Sequence, residues 1–279
     1  MFPESVAADS RGNIYVGSIT GTIYRARAHA TVALPWIVPN AANGLTSLYG
    51  VLADDAHGLL WVCNNPPFGR RAGPPAAPQV KAFRLRDGAL AATLMFPGSQ
   101  PAACNDIAIS RDGTLFATDT SGGRLLRRAP GSDELEVFAA SPDLVGVDGI
   151  AFAGDGKLYI NNVRKNLVQR IKRANDGRYV GLASLSLSQP VSGPDGLRPV
   201  RGNRFLEAEG SGNRVTYLDI AGDRANVTPI RIGLDSSPGV THVGRIGYAT
   251  EGKIRFLVDP SLRTASPDPF FLRAFVLPG

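Results

Sequence analysis

The sequence is poor in the residues that most often build metal and redox centres, with only two cysteines and three histidines. Cys63 and Cys104 lie far apart and show no CxxC spacing, which excludes zinc ribbons, thioredoxin-like redox motifs and a multi-bridge disulfide framework. They read as two small buried hydrophobes, with a disulfide between them as the alternative. His29, His57 and His242 show neither HxxH nor HExxH spacing, so histidine-based zinc hydrolysis has no support. Ser5 is not in a GxSxG elbow, and a Ser-His-Asp triad is likewise unsupported.

Long runs are missing too. No apolar stretch approaches the roughly 18 residues of a membrane-spanning helix. The N-terminus lacks a charged segment followed by an apolar one. The chain is therefore expected to stay off the membrane and to be cytoplasmic as written, or periplasmic or secreted if an N-terminal segment has been removed. The net charge is +6, yet the nearest things to basic clusters are the pairs Arg70-Arg71, Arg127-Arg128 and Lys172-Arg173. Nucleic-acid binding calls for a concentrated basic stripe interleaved with stacking aromatics, so no nucleic-acid partner is expected.

What the chain has in quantity is glycine (32) and proline (21), as many short strands and tight turns require. These residues punctuate an internal repeat. Pro3-Glu4-Ser5-Val6-Ala7 leads to Gly12 and the apolar Ile14-Tyr15-Val16. Leu48-Tyr49-Gly50-Val51-Leu52 leads to Gly58 and Leu59-Leu60-Trp61-Val62. Cys104-Asn105-Asp106-Ile107-Ala108 leads to Gly113 and Leu115-Phe116-Ala117. Val147-Asp148-Gly149-Ile150-Ala151 leads to Gly156 and Leu158-Tyr159-Ile160. Counting back eight from each turn glycine marks Glu4, Gly50, Asn105 and Asp148 as pentad centres. Two weaker copies centre on Asp195 and Pro238.

Each copy reads as a strand, a polar turn and a second strand, often with a third behind it, as in Arg124-Leu125-Leu126-Arg127. No window carries a sustained helical period. Six copies predict an all-β fold, a six-bladed β-propeller with four-stranded blades, as one domain over residues 1–279. Because the chain opens on the first inner strand, residues 254–279 must finish the sixth blade, with Phe270 to Leu277 as its outer strand; a lost N-terminal strand is the alternative. The segment Pro66 to Pro78 cannot be a central strand and is either a pocket lid or a variable surface insertion.

Inner strands of a propeller start at one end of a central channel, so equivalent repeat positions converge there. Four of the six pentad centres carry oxygen: Glu4, Asn105, Asp148 and Asp195. Ionised carboxylates facing one another need a compensating cation. Oxygen-only ligation by Glu4, Asp148, Asp195 and Asn105 suits a hard divalent metal ion, Ca²⁺ before Mg²⁺; a merely wet channel is the plainer alternative. His242 lies near the sixth inner strand and is a candidate pocket-lining, substrate-binding residue beside Asn105, with a core or rim position as the other reading. Glu207 and Glu209 alternate along a second strand and read as structural or solvated.

The segments Phe2-Pro3-Glu4-Ser5, Asn105-Asp106-Ile107-Ala108 with Ala117-Thr118-Asp119, Asp148-Gly149-Ile150-Ala151 and Pro194-Asp195-Gly196-Leu197, in this order and spacing, resemble the SMP-30/gluconolactonase/luciferin-regenerating enzyme group of six-bladed propellers. The resemblance implies a hydrolase that opens a lactone or related ester, a small-molecule substrate, around a channel ion. Glu4 and Asp195 match the group's ligands in type, while its middle Asn ligand falls on Asp148, which adds a charge. An Arg that holds sugar hydroxyls in the group's sugar-lactone enzymes falls on Ala103, so a less polyhydroxylated lactone or ester is expected. The implied ion would polarise the carbonyl while Asp195 or Asp148 acts as general base. Two alternatives stand beside this: a phosphotriesterase-like hydrolase using the same ion, and a metal-free or non-catalytic ligand-binding propeller.

Overall fold

The computed structural model describes all residues except 70–75, 99–100 and 263. Six antiparallel sheets follow one another along the chain, and each opens on one of the repeated pentads. Their inner strands are Pro3–Ala8, Ser47–Asp54, Cys104–Ile109, Val147–Phe152, Pro194–Arg201 and Val240–Val243. The first four blades have four strands each, in simple meander order. The fifth adds a short parallel strand, Ser186–Leu187, outside Arg224–Ile232. The sixth has three strands, and its outermost, Leu272–Val276, falls inside the segment expected to close that blade. Among the described residues no helix is long and apolar enough to cross a membrane.

The hairpin turns explain why the glycines recur. In the third and fourth blades, Asp112 and Asp155 accept hydrogen bonds from the backbone N–H two residues on, at 3.1 and 3.0 Å. The residue between them must take a positive φ, and Gly113 and Gly156 do so at +86° and +80°.

The apolar faces meet between blades rather than in one central mass. Leu48, Leu60 and Phe83 of the second blade pack on Tyr15 and Ile23 of the first; Phe116 and Leu125 of the third pack on Ile150 and Ile160 of the fourth. The ring closes where Val6, Ile14 and Val16 meet Val243, Tyr248 and Leu272. The first and last blades are thus joined by packing, without a shared sheet.

One expectation is corrected here. Cys63 and Cys104 form a disulfide, with Cα atoms 5.2 Å apart, between the second strand of the second blade and the inner strand of the third. Both residues are buried as expected, but the interface brings them together across a sequence separation of 41. A closed loop of that size is worth about 4 kcal/mol in the chain-entropy account. Replacing both cysteines by alanine should lower the urea midpoint accordingly; an unchanged midpoint would show that packing alone joins these blades.

The segment Pro66 to Pro78, read as lid or insertion, falls largely on residues outside the described set.

Candidate functional site

Four inner strands carry a glycine directly after the residue that faces the channel end. A Cβ on Gly50, Gly149, Gly196 or Gly239 would run into the next inner strand, overlapping the backbone at Asn105, Asp195, Pro238 and Glu4 respectively. Glycine at these positions lets the inner strands converge tightly enough for their preceding residues to meet. That register places Glu4, Tyr49, Asn105, Asp148, Asp195 and Pro238 in one ring. Gly50, expected in the ring, belongs to the layer below it, and Tyr49 takes its place.

The ring is dense in acid. Glu4 and Asp148 are buried, while Asn105 and Asp195 are partly exposed. Asn105 Nδ2 donates to Asp148 Oδ2 at 2.7 Å. Asp195 lies against Asp148, close enough for the two carboxyls to share a hydrogen bond. Burial is the chief cause that pushes the Asp148 carboxyl up to about 8, with the Asp106 charge adding to it and Asn105 opposing it. Asp195 is raised well above the carboxylate range by burial and by the Asp148 and Glu4 charges. Glu4 is raised by burial, then by Asp148 and Asp106, and only partly relieved by Arg198. The Tyr49 phenol, half-buried beside Glu4 and Asp148, is pushed up to about 12 by burial and by those two charges. It therefore remains a hydrogen-bond donor at neutral pH.

Below the ring, an ion pair crosses the channel. Arg198, 6% exposed, donates from Nη1 to Asp106 Oδ2 at 2.7 Å and from Nη2 to Asp106 Oδ1 at 2.9 Å. Its remaining bonds reach the Leu197 and Val51 carbonyls at 2.8 and 3.2 Å and Ser5 Oγ at 3.4 Å. One guanidinium thus ties strands of the first, second, third and fifth blades. Room for it comes from small residues at the equivalent positions of three other strands, Ala7, Ala108 and Ala151. Asp106 and Arg198 neutralise each other, which leaves Glu4, Asp148 and Asp195 without a cation of their own.

Sequence reasoning brought Glu4, Asn105, Asp148 and Asp195 to one place, and the structure does the same. His242 does not join them. It lies four residues beyond Pro238, at the opposite end of its strand, where Nε2 faces the Pro199 carbonyl at 3.2 Å and Nδ1 the Gly244 carbonyl at 3.1 Å. Four strand residues span about 13 Å, so a side chain there cannot reach the acid ring. Glu207 and Glu209 are structural and both fully buried. Glu209 pairs with Arg214 at 2.9 Å, and Glu207 accepts from Asn161 Nδ2 at 3.2 Å. Asn161 in turn accepts from the Gly149 N–H and donates to the Asp195 carbonyl, both at 2.7 Å, and so fixes two ring strands together.

Sequence reasoning missed Tyr49, Asp106 and Arg198. A signal for the last two was present. Stacking the six repeats shows Ser5, Gly50, Gly149, Gly196 and Gly239 at one position with Asp106 as the exception. Ala7, Leu52, Ala108, Ala151 and Thr241 stand at another, with Arg198 as the exception.

The ring's donors are all oxygen, and Asp148 Oδ1 is buried with no hydrogen-bond partner. The arrangement is that of buried acids whose charges raise one another. Among the described residues no group of three or more His, Cys, Asp or Glu side chains is already spaced to hold a metal ion.

Comparisons with known proteins bear on the fold. A gluconolactonase from Xanthomonas campestris superposes with a TM-score of 0.68 at 18% identity, over 90% of this chain and 83% of that one. This chain shares its fold with gluconolactonase-like six-bladed propellers. The same architecture appears in virginiamycin B lyase from Staphylococcus aureus, with a TM-score of 0.65 at 16% identity over 90% and 78% of the two chains. It appears again in an auxiliary nutrient binding protein from Bacteroides thetaiotaomicron, with a TM-score of 0.69 at 10% identity over 91% and 67%. A family profile described as strictosidine synthase-like, N-terminal, matches residues 1–26, which hold the first inner strand and Glu4. Comparison with curated proteins gives no match. Proteins named as a gluconolactonase, a lyase and a nutrient binding protein thus share this fold, and the fold does not choose among them.

Proposed function

We propose that this protein is a hydrolase that opens a lactone or related ester at the channel end where Glu4, Tyr49, Asn105, Asp148 and Asp195 meet. The observation that carries this reading is the meeting of Asp148 and Asp195, both raised by burial, beside two neutral donors in a largely buried ring. Ester hydrolysis needs a base for the attacking water, a donor for the developing oxyanion and an acid for the leaving oxygen. Asp195, the more exposed of the pair, is placed to take the water proton once ionised and to return it to the departing alkoxide. The Tyr49 hydroxyl and the Asn105 amide supply the donors for the carbonyl oxygen. The fold neighbours named as gluconolactonases support the same chemistry.

The ring's chemistry also fits a divalent cation. Its donors are hard oxygens, three of them carboxylates without a partner cation, and Asp148 Oδ1 is an unpaired buried acceptor. Glu4, Asp148 and Asp195 would hold the ion, Ca²⁺ by preference, with Asn105 beside them as a further oxygen donor. When bound, the ion would polarise the ester carbonyl and neutralise the acids. The Asp148–Asp195 hydrogen bond would then give way, leaving Asp195 ionised at neutral pH. Ala103 offers no group for sugar hydroxyls, which favours a substrate with few of them. The Cys63–Cys104 disulfide supports a periplasmic or secreted location over a cytoplasmic one.

The test is calorimetric titration of chelator-treated protein with Ca²⁺, repeated for Glu4→Gln, followed by assay against simple aliphatic lactones. One equivalent bound, weakened at least about tenfold by Glu4→Gln, with calcium-dependent ring opening, is the expected result. Ring opening without ion uptake would assign the chemistry to the acid pair alone. Ion uptake with no turnover on any lactone or ester would leave a binding propeller.

A further inference from the structure

The channel has a second mouth, on the face opposite the acid ring, and a cavity of about 800 Å³ opens there. It lies among the far ends of four inner strands, from the second to the fifth blade, and Arg198 lines it. The Asp106–Arg198 ion pair lies between this cavity and the ring. Its walls are apolar, formed by Leu52, Ile109, Phe152 and Val200.

The charges at the mouth are unequal in availability. Asp54, Asp55 and Asp112 line it from the second and third blades, each hydrogen-bonded within or beside its own turn. Asp54 meets His57 Nδ1 at 2.8 Å, Asp55 accepts from Ser10 N–H and Oγ at 2.8 and 2.9 Å, and Asp112 accepts from Ser110 and Thr114 in its own turn. The arginines are not matched by acids. Among the described residues Arg111 and Arg173 donate to the Gly154 and Gly156 carbonyls and to no acid, and Arg173 also lies over the Phe152 ring at 5.9 Å. Arg201 is exposed and pairs with no acid among the described residues. Arg111, Arg173 and Arg201 gather around Gly154 to Gly156 on the fourth- and fifth-blade side, beside the Phe152 and Val200 wall. That side is complementary to an anionic head on an apolar body.

We propose that this cavity is a second ligand site that takes a medium-chain carboxylate, with the chain against Phe152 and Val200 and the head at Arg201, Arg173 and Arg111. The site stands apart from the hydrolase reading, since no residue of the acid ring lines it.

Decanoate is the probe, titrated calorimetrically into the intact protein, with decanol and decyltrimethylammonium as neutral and cationic counterparts of equal length. One decanoate should bind per chain, with decanol at least about tenfold weaker and the cation weaker still. Arg201→Glu, a change at an exposed position, should weaken decanoate about tenfold, and Val200→Glu should do so by placing charge in the wall. Asp195→Asn should leave decanoate affinity unchanged. Thermal melts of each variant confirm that it is folded. Absence of saturable decanoate binding, equal affinity for decanol, or indifference to Arg201→Glu would overturn the proposal. So would loss of decanoate binding in Asp195→Asn, which would place the ligand in the acid ring instead.

Discussion

Arg198→Met should cost about 3–5 kcal/mol of stability at neutral pH, the amount expected when one member of a buried ion pair is removed. The effect exceeds a lost salt bridge because of what remains. Asp106 keeps three acids for neighbours, since its charge acts on Glu4, Asp148 and Asp195 alike. With Arg198 gone, no buried cation among the described residues acts on them. Contacts to three other blades go with it, because the same guanidinium reaches Asp106, the Val51 carbonyl and Ser5. The double variant Arg198→Met with Asp106→Asn should recover much of the loss, since an amide leaves no buried charge behind. Urea unfolding of wild type and the two variants measures both steps. A single variant within about 1 kcal/mol of wild type, or a double variant no better than the single, would show that the pair does not hold the inner strands together.

The architecture was legible because the repeat carries its own geometry. Turn glycines and apolar strands recur in every blade, and aspartates that bond forward in the turn recur in the first four. The ring was legible for the same reason, with one instructive error. In three blades the ring residue lies eight positions before the turn glycine, but Tyr49 lies nine before Gly58. The pairing Val51↔Val62, set against Val6↔Val16 and Ile107↔Ala117, shows that the second hairpin turn is one residue longer. Counting from the glycine therefore landed on Gly50. His242 failed for a different reason. Belonging to an inner strand does not fix depth along it, and at four residues past Pro238 the side chain lies against the Pro199 and Gly244 carbonyls, away from the ring. The disulfide was hidden because it pairs a second strand with the inner strand of the next blade, a neighbour relation that sequence distance does not convey. Arg198 bonds to Asp106, 92 residues away, and no local pattern announces that partner.

Asp195→Asn should lower kcat/KM on a responsive lactone by about 10²–10⁴-fold, the usual contribution of a positioned general base. Its pH dependence separates a catalytic role from a structural one. In ion-free protein the Asp148 carboxyl titrates at about 8 and Asp195 is raised well above its ordinary range, so the ionised base is scarce at neutral pH. Activity should rise with pH into the alkaline range, and a bound divalent cation should move that rise to lower pH by favouring the ionised acids. Stability should run the other way. An acid whose folded pKa is raised contributes stability that is fully present below its unfolded value near 3.8 and is lost as pH climbs through about 8. Ion-free protein should therefore melt at a lower temperature at pH 8 than at pH 5, and Asp148→Asn should flatten that slope. Ca²⁺ should raise the melting temperature more at pH 8, where the acids carry the charge that binds it. Retention of more than about a tenth of wild-type activity by Asp195→Asn would remove it from the mechanism. Ion-free protein that grows more stable from pH 5 to pH 8 would contradict the raised acids on which the site depends.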